Sequence, residues 1–460
     1  MRTRILGIDL AVRATHKAAI LDKESNEFVG SPISFGTNPA EIDKLLEAAR
    51  GGSEGDVELV AVLEATGIAW YTIGSYLVQH GAKVYRVNGQ ETAAQRKVYQ
   101  RRAKSDRIDA RVLARMYLTI PERLRPVYLP DADHLSLQRA CRELTRLAQL
   151  RIALKNRMTA TDTLAWLGDS KNWLDGAEST LWWRSHWYNP WKVVAFGLAH
   201  LQTQWQKDFP DHESGWLEAL FEQANLVVKF YGQKDWLDYE QIQAGQEREQ
   251  ARLDEIQTQI HQLRKEVIHP LYTKLHPSRC LETLYGIGED SAAIYIAFIG
   301  DIRRFPTPAH FRSWCGLIPY SSQSGYGEAK DLKITQAGPN LLKKTIFIDT
   351  EVARQYDPDI AACYYDQIVN KGKHHFQAVC ASATHLLNRI YAILRDQRSY
   401  QLRDKDGNPL DKDVARKLCQ DKYHVPEDVR RRNNARVRKE RKELRTEQRF
   451  QRLSKKSSKG

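Results

Sequence analysis

Four carboxylates stand where metal-dependent phosphodiester chemistry could use them. Asp9 ends the apolar run ILGID, Glu64 ends VELVAVLE, and KSDRIDA sets Asp106 and Asp109 three residues apart, on one face of a helix. Cleaving a phosphodiester with two metal ions calls for several carboxylates converging on a site about 4 Å across, drawn from strand ends and a helix. A carboxylate that closes an apolar strand is costly to bury alone, so two such residues point to a shared ligand. Two like charges one helical turn apart repel, and a divalent cation would offset them. The other reading of Asp106 and Asp109 is a solvated pair balanced by Arg102, Arg107 and Arg111. Lys97, Arg101, Arg102, Lys104, Arg107, Arg111 and Arg115 surround the pair in sequence, either as a phosphate-holding rim or as an ordinary soluble helix surface.

A different chemistry is offered far downstream. GLIPYSSQSGYGEAK places Ser321, Ser322 and Ser324 in a glycine-flanked loop, and glycine would expose Ser324 to an incoming backbone. No His or Asp spacing there resembles a hydrolase triad, so a nucleophilic Ser324 needs activation by metals or by neighbouring charge. The alternative is a polar hairpin loop. GIG at 286–288, followed by AAIYIAFIG, reads either as a turn whose amides approach a phosphate or as a tight turn in a helical domain.

The elements that must position these residues follow from periodicity. RILGIDLAVRATHKAAILD predicts a hairpin over 4–22, and the amphipathic segment 39–49 predicts a helix. VELVAVLEATG is a buried strand ending at Glu64, a helix runs from about 69 to 80, AKVYRVN is a further core strand, and 90–116 reads as one helix. Strands alternating with helices indicate an α/β domain. Leu137, Ala140, Leu144, Leu147, Leu154 and Met158 keep a 3-4 spacing, as do Leu253, Ile256, Ile260, Leu263 and Val267. These two helices could pair with each other, antiparallel, or with a second copy of the chain. Between them fall nine of the eleven tryptophans, from Trp166 to Trp236. They form either an aromatic core or contact of a helical insertion, or exposed platforms for base stacking.

Composition bounds the partners. The 460 residues carry a formal charge of +13 and leave room for two or three domains. From Arg430 to Gly460 there are 14 Lys or Arg against 3 Glu, so the tail holds +11 and the body is almost neutral. Such a tail is either plain solvated chain or an arm that grips phosphates in any sequence. The six cysteines lack CxxC spacing, which argues against zinc ribbons and a disulfide framework, and no apolar stretch approaches the roughly 18 residues of a membrane span. The expectation is an intracellular, cytoplasmic protein with no membrane partner.

Taken together, LGIDLAVRATHKAAILD, LEATGIAWY, KSDRIDARVLAR, GIGEDSAAIYIAFIGDIRRF, GLIPYSSQSG and ITQAGPNLLKK closely resemble the insertion-sequence one-hundred-and-ten family of DEDD transposases, related to the Piv DNA invertases. The resemblance covers roughly 1–158 and 245–397. It implies an α/β RuvC-like (ribonuclease H-like) domain over 1–130 and coiled-coil helices over 131–279, with the Trp-rich insertion at about 159–244. A mainly α transposase domain over 280–397 and the basic tail 398–460 follow. It further implies that Asp9, Glu64, Asp106 and Asp109 bind Mg2+, with Mn2+ as a substitute, and that Ser324 becomes linked to a DNA 5′ phosphate. Donor and target DNA, a noncoding bridge RNA that pairs with both, and a homodimer or homotetramer complete the expectation. Base pairing would then read sequence, leaving shape and phosphate contacts to the protein. Two positions depart from the family pattern: Ser105 stands where Thr is usual, and Gln336 where Lys is usual.

Three rivals remain open at this point. A junction nuclease that uses water would not need Ser324. GIDLAVRATHKAAILD also resembles the opening of actin-like sugar kinases, which need a second glycine-rich phosphate loop that is absent here. A non-catalytic nucleic-acid binder leaves the four carboxylates unexplained.

Overall fold

The structure is a computed structural model that describes residues 2–51, 56–64, 67–87, 89–99, 105–232, 236–317, 323–324, 327–328, 338–404 and 406–457. The chain divides into two compact units, Met1–Asp131 and Ala132–Gly460.

In the first unit the apolar runs become β1 (Arg2–Asp9), β2 (His16–Asp22) and β3 (Ile33–Phe35). Next come α1 (Pro39–Arg50), β4 (Val57–Glu64), α2 (Ala69–Gln79) and β5 (Lys83–Val87), then α3 (Gly89–Tyr99) and α4 (Asp106–Thr119). The sheet order is β3-β2-β1-β4-β5. β1 and β2 form an antiparallel pair, as do β2 and β3, whereas β1, β4 and β5 run parallel. This mixed sheet is consistent with the ribonuclease H-like arrangement. Side chains alternate across it: Leu6, Ile8, Leu59, Ala61 and Leu63 join the core under α1 and α2, while Ile5, Val60 and Val62 pack with Val112 and Leu113 of α4. Asn38 starts α1 by accepting a hydrogen bond from Glu41 N at 3.0 Å, with Pro39 at the first helical position.

The segment expected to be one helix over 90–116 is two. Ser105 is extended, with φ −153° and ψ 152°, and its hydroxyl accepts from Ile108 N, so a fresh helix begins at Asp106. Ser at this position is a good cap, which Thr would also be.

The second unit opens with α5 (Ala132–Trp166). A helical array follows: α6 (Gly176–His186), α7 (Pro190–Phe196), α8 (Leu198–Asp208) and α9 (Trp216–Tyr231). α10 (Tyr239–Gln262) then returns along α5. The two long helices are antiparallel within the chain, because Gln246 Nε2 donates to Met158 O at 2.9 Å and Arg157 pairs with Glu249 at 2.6 Å. Leu137, Leu144, Leu147 and Ile260 share one core with α11 (His269–Leu275) and α12 (Glu289–Ile299). Beyond α13 (Pro308–Cys315) lies a short ladder, β6 (Gln323–Ser324) with β7 (Gly327–Glu328). The chain finishes with α14 (Asn340–Ala353), α15 (Pro358–Tyr365), α16 (His375–Asp396), α17 (Lys412–Tyr423) and α18 (Glu427–Ser457).

The tryptophans make a core. Trp166, Trp173, Trp182, Trp183, Trp187 and Trp205 are buried together, while Trp236 is 72% exposed. Indole N–H groups of Trp166, Trp182 and Trp205 find acceptors at Tyr188 O, Asp208 Oδ2 and Glu213 O. All six cysteines are free thiols. Among the described residues no helix is long and apolar enough to cross a membrane.

Candidate active site

Two neighbouring parallel strands deliver the first two carboxylates. Ile8 pairs with Leu63, so Asp9 and Glu64 close β1 and β4 side by side, and alternation sends both to the face covered by α4. On that face Gly7 precedes Asp9 by two residues. A Cβ there would sit 2.0 Å from Ala110 O and 2.2 Å from Ala114 N. Glycine against two alanines therefore lets α4 lie directly on β1. Since Ala110 directly follows Asp109 and lies about one turn after Asp106, the first turn of α4 is brought to the strand ends that carry Asp9 and Glu64. Gly89, at the start of α3, abuts Glu64: a Cβ would come within 2.5 Å of Glu64 Oε1 and displace the carboxylate.

The electrostatics register this gathering. Burial, then the charges of Asp109, Asp106 and Glu64, push the Asp9 carboxyl up to about 6, against a smaller opposing pull from Arg96. Asp109 is buried and meets Arg96 of α3 in a two-pronged ion pair, Nε to Oδ1 at 2.5 Å and Nη2 to Oδ2 at 2.8 Å. Asp106 is exposed, and Glu64 and Asp9 are half-buried. His16 steadies the turn beyond Asp9: its Nδ1 accepts from Ala11 N at 3.0 Å, and its Nε2 lies 2.8 Å from Thr37 Oγ1. Burial lowers its pKa below the usual imidazole range.

The expectation of a tight carboxylate cage is not met in this arrangement. Among the described residues no group of three or more His, Cys, Asp or Glu side chains stands close enough to hold a metal ion. Asp109 here takes Arg96 as its counter-ion. The donor chemistry fits a hard divalent cation all the same, since the four residues offer only carboxylate oxygens and Asp9 responds to the other three.

Ser324 belongs to the second unit, in β6, paired with Gly327 across the ladder. Its side chain, together with Ser321, Ser322 and Gln336, lies outside the described residues. Of the basic residues around the KSDRIDA segment, Arg101, Arg102 and Lys104 also lie outside them. Arg111 and Arg115 stack over Phe28, and Lys97 and Arg107 are exposed. The GIG turn has a packing role. Gly286, at φ +99°, is pressed against α14, where a Cβ would meet Asp349 O at 2.6 Å. The first turn of α12 presents Glu289 and Asp290, already paired with Arg279 and Arg264, which opposes a phosphate there. Arg96, Gly7 and Gly89 escaped the sequence reading. Only a glycine two residues before a strand-ending Asp hinted at the close helix.

Residues 6–164 match a family profile described as transposase, of the DEDD IS110 type, and residues 278–365 match the profile described as transposase IS116/IS110/IS902 family. The two stretches cover more than half of the chain. The chain belongs to the IS110-type family of DEDD transposases. Within it, an insertion element IS110 protein of 43.6 kDa from Streptomyces coelicolor is 31% identical over 159 residues, spanning 33% of this chain and 38% of the relative. Pilin gene-inverting proteins of Moraxella bovis and Moraxella lacunata are 27% and 28% identical, covering 28% and 27% of this chain and 40% and 38% of their own lengths. The matched stretch is thus well under two thirds of each of these relatives. Both the tryptophan-rich array and everything beyond residue 365 fall outside the two family profiles of this IS110-type chain.

Proposed function

We propose that this chain is a DNA transposase, a site-specific recombinase that cleaves and rejoins strands through Ser324, assisted by Mg2+ held by Asp9, Glu64, Asp106 and Asp109. The observation that carries this reading is the assembly of two strand-end carboxylates with the first turn of α4, inside the segment matched to the DEDD family. Mn2+ would substitute for Mg2+. The pilin gene-inverting relatives are named for a DNA rearrangement, which supports DNA as substrate here.

The chain's own residues have defined tasks. Bound at the four carboxylates, the metal would supply charge stabilisation on phosphoryl oxygens. Gly7 and Gly89 keep the carboxylates close, and Arg96 holds Asp109 until a cation competes for it. Ser324 Oγ would attack phosphorus, forming a serine–5′-phosphate ester. The bond to the 3′ oxygen breaks, and that oxygen leaves as a hydroxyl after taking the serine proton. A 3′ hydroxyl from the partner strand would then reverse the step on the serine ester, so rejoining needs no nucleotide triphosphate. A noncoding bridge RNA would choose donor and target by pairing. Two or four copies would let one protomer's acidic set work beside another's serine.

The decisive assay incubates the full chain and RNA transcribed from the flanking sequence with labelled donor and target DNA and Mg2+, then runs denaturing gels. A protein–DNA adduct formed by wild type and lost in both Ser324→Ala and Asp9→Ala is expected. Cleavage without an adduct, indifferent to Ser324→Ala, would overturn the serine mechanism in favour of a water-using nuclease.

A further inference from the structure

The basic C-terminal segment is an ordered, anchored element. α18 is helical for 31 residues and lies outside both stretches matched to the transposase family. Its first half is fastened to the turn before α16. Asn434 Oδ1 accepts from His375 N at 3.0 Å, and Asn433 Nδ2 donates to Ile368 O at 2.9 Å. Arg436 Nη2 donates to Gly372 O at 2.5 Å, and Arg441 Nη2 lies 3.1 Å from His374 Nε2. Val425 and Val429 add an apolar seat against Tyr364, Ile368, Ala378 and Val379. The anchoring residues Val429, Asn433, Asn434, Arg436 and Arg441 fasten the first half of the helix.

Along the helix beyond residue 437 the sequence carries a regular charge pattern. Arg438, Lys442, Arg445, Arg449, Arg452 and Lys456 follow one another at spacings of four, three, four, three and four, which keeps them in one stripe. The stripe is about 27 Å long at 1.5 Å per residue. Arg438, Lys439 and Lys442 are exposed. Acidic residues 440, 443 and 447 sit off the stripe. Six of the nine Lys and Arg between 438 and 456 share this stripe, and a solvated helix has no need to be fixed at one end by four polar side chains.

We propose that α18 is a fixed rail for the phosphate backbone of double-stranded DNA, bound without reading sequence. Charge complementarity names a polyanion, and geometry selects among polyanions. A helix with its side chains is about 10–12 Å across, which suits the roughly 12 Å major groove of B-form DNA, whereas the deep, narrow major groove of A-form RNA excludes it. Anchoring at one end settles the ordering entropy during folding, so DNA meets a presented stripe in place of a loose arm. The inference extends the reading of the chain as a DNA-acting protein to a separate surface. Its test involves no cleavage, so it can fail or succeed independently of the acidic site and of Ser324.

The test measures fluorescence anisotropy of the full-length protein on a 30-bp DNA duplex of arbitrary sequence, across a salt series. Two charge-matched triple variants are compared, with helix content checked by circular dichroism. One removes the stripe (Arg438→Gln, Lys442→Gln, Arg445→Gln) and the other removes off-stripe cations (Arg432→Gln, Lys439→Gln, Lys455→Gln). The stripe variant should lose roughly 2 to 3 from the slope of log affinity against log salt, about 0.9 for each phosphate contact, and the off-stripe variant less than 1. Equal losses in the two variants, or none in either, would overturn the rail. An equal loss of binding to an RNA duplex of the same sequence would overturn the choice of DNA.

Discussion

At the scale of single residues, a buried acid of the second unit reports its surroundings. Asp349 sits inside the second unit, where Tyr295 OH and Ser291 Oγ each donate to it at 2.8 Å, and burial raises its carboxyl to about 7. The folded state therefore keeps a proton between about pH 4 and 7 that the unfolded chain has released. By linkage, stability falls as pH rises through that window and then levels off. Asp349→Asn keeps a hydrogen-bonding partner without the charge, so it should be more stable than wild type at pH 8 and lack the slope between pH 5 and 7 in thermal melts. Gly7 offers a steric test. Gly7→Ala puts a methyl group into the α4 backbone and should cost about 1–3 kcal/mol in denaturant titrations. The strand-end placement of Asp9 and Glu64 was legible, because each closes an apolar run of strand-like residues. Arg96 was illegible, because its meeting with Asp109 depends on how two helices cross and leaves no local pattern.

At the scale of elements, strands and the paired long helices were readable from periods of two and of three to four. Their partner was not: the 3-4 stripes of α5 and α10 suit a second copy as well as each other, and only contacts such as Arg157 with Glu249 choose the antiparallel pair. The break at Ser105 was missed since Gln90 to Met116 is polar and helix-forming throughout, and a cap is a conformational choice that serine permits without requiring. For the tryptophans, the sequence left core and stacking surface open, and burial decides it. Trp183→Ala should cost about 3–5 kcal/mol, because the ring is fully enclosed between Trp166, Trp173 and Tyr188. Trp236→Ala should leave the melting temperature unchanged and remove most of the fluorescence that acrylamide quenches.

At the scale of the molecule, each unit has its own cores, one pair around the sheet and the others around the helices. Two calorimetric transitions are expected on that basis. Millimolar Mg2+ or Mn2+ should raise only the transition of the first unit, and Asp9→Ala should abolish the rise. A metal effect confined to the second unit would place the cation elsewhere. The tail's helical order was invisible to composition, which counts charges without locating them. The anchoring asparagines, Asn433 and Asn434, look like ordinary surface residues until the turn at 368–375 is packed beside them.

The array from α6 to α9 leaves the long-helix hairpin and rejoins it at the same end, where Asp162 of α5 binds Arg184, Tyr188 and Gln246. Among the described residues its aromatic core meets the hairpin at that junction, through Ala165 and Trp166 of α5 and Tyr239 of α10. Such a piece behaves as a cartridge. A gene could acquire or discard it in a single in-frame event, with a short turn taking its place and the register of the hairpin intact. Relatives that differ chiefly in length should therefore differ here, and a reporter domain spliced in for residues 167–238 should leave both ends of the hairpin folded.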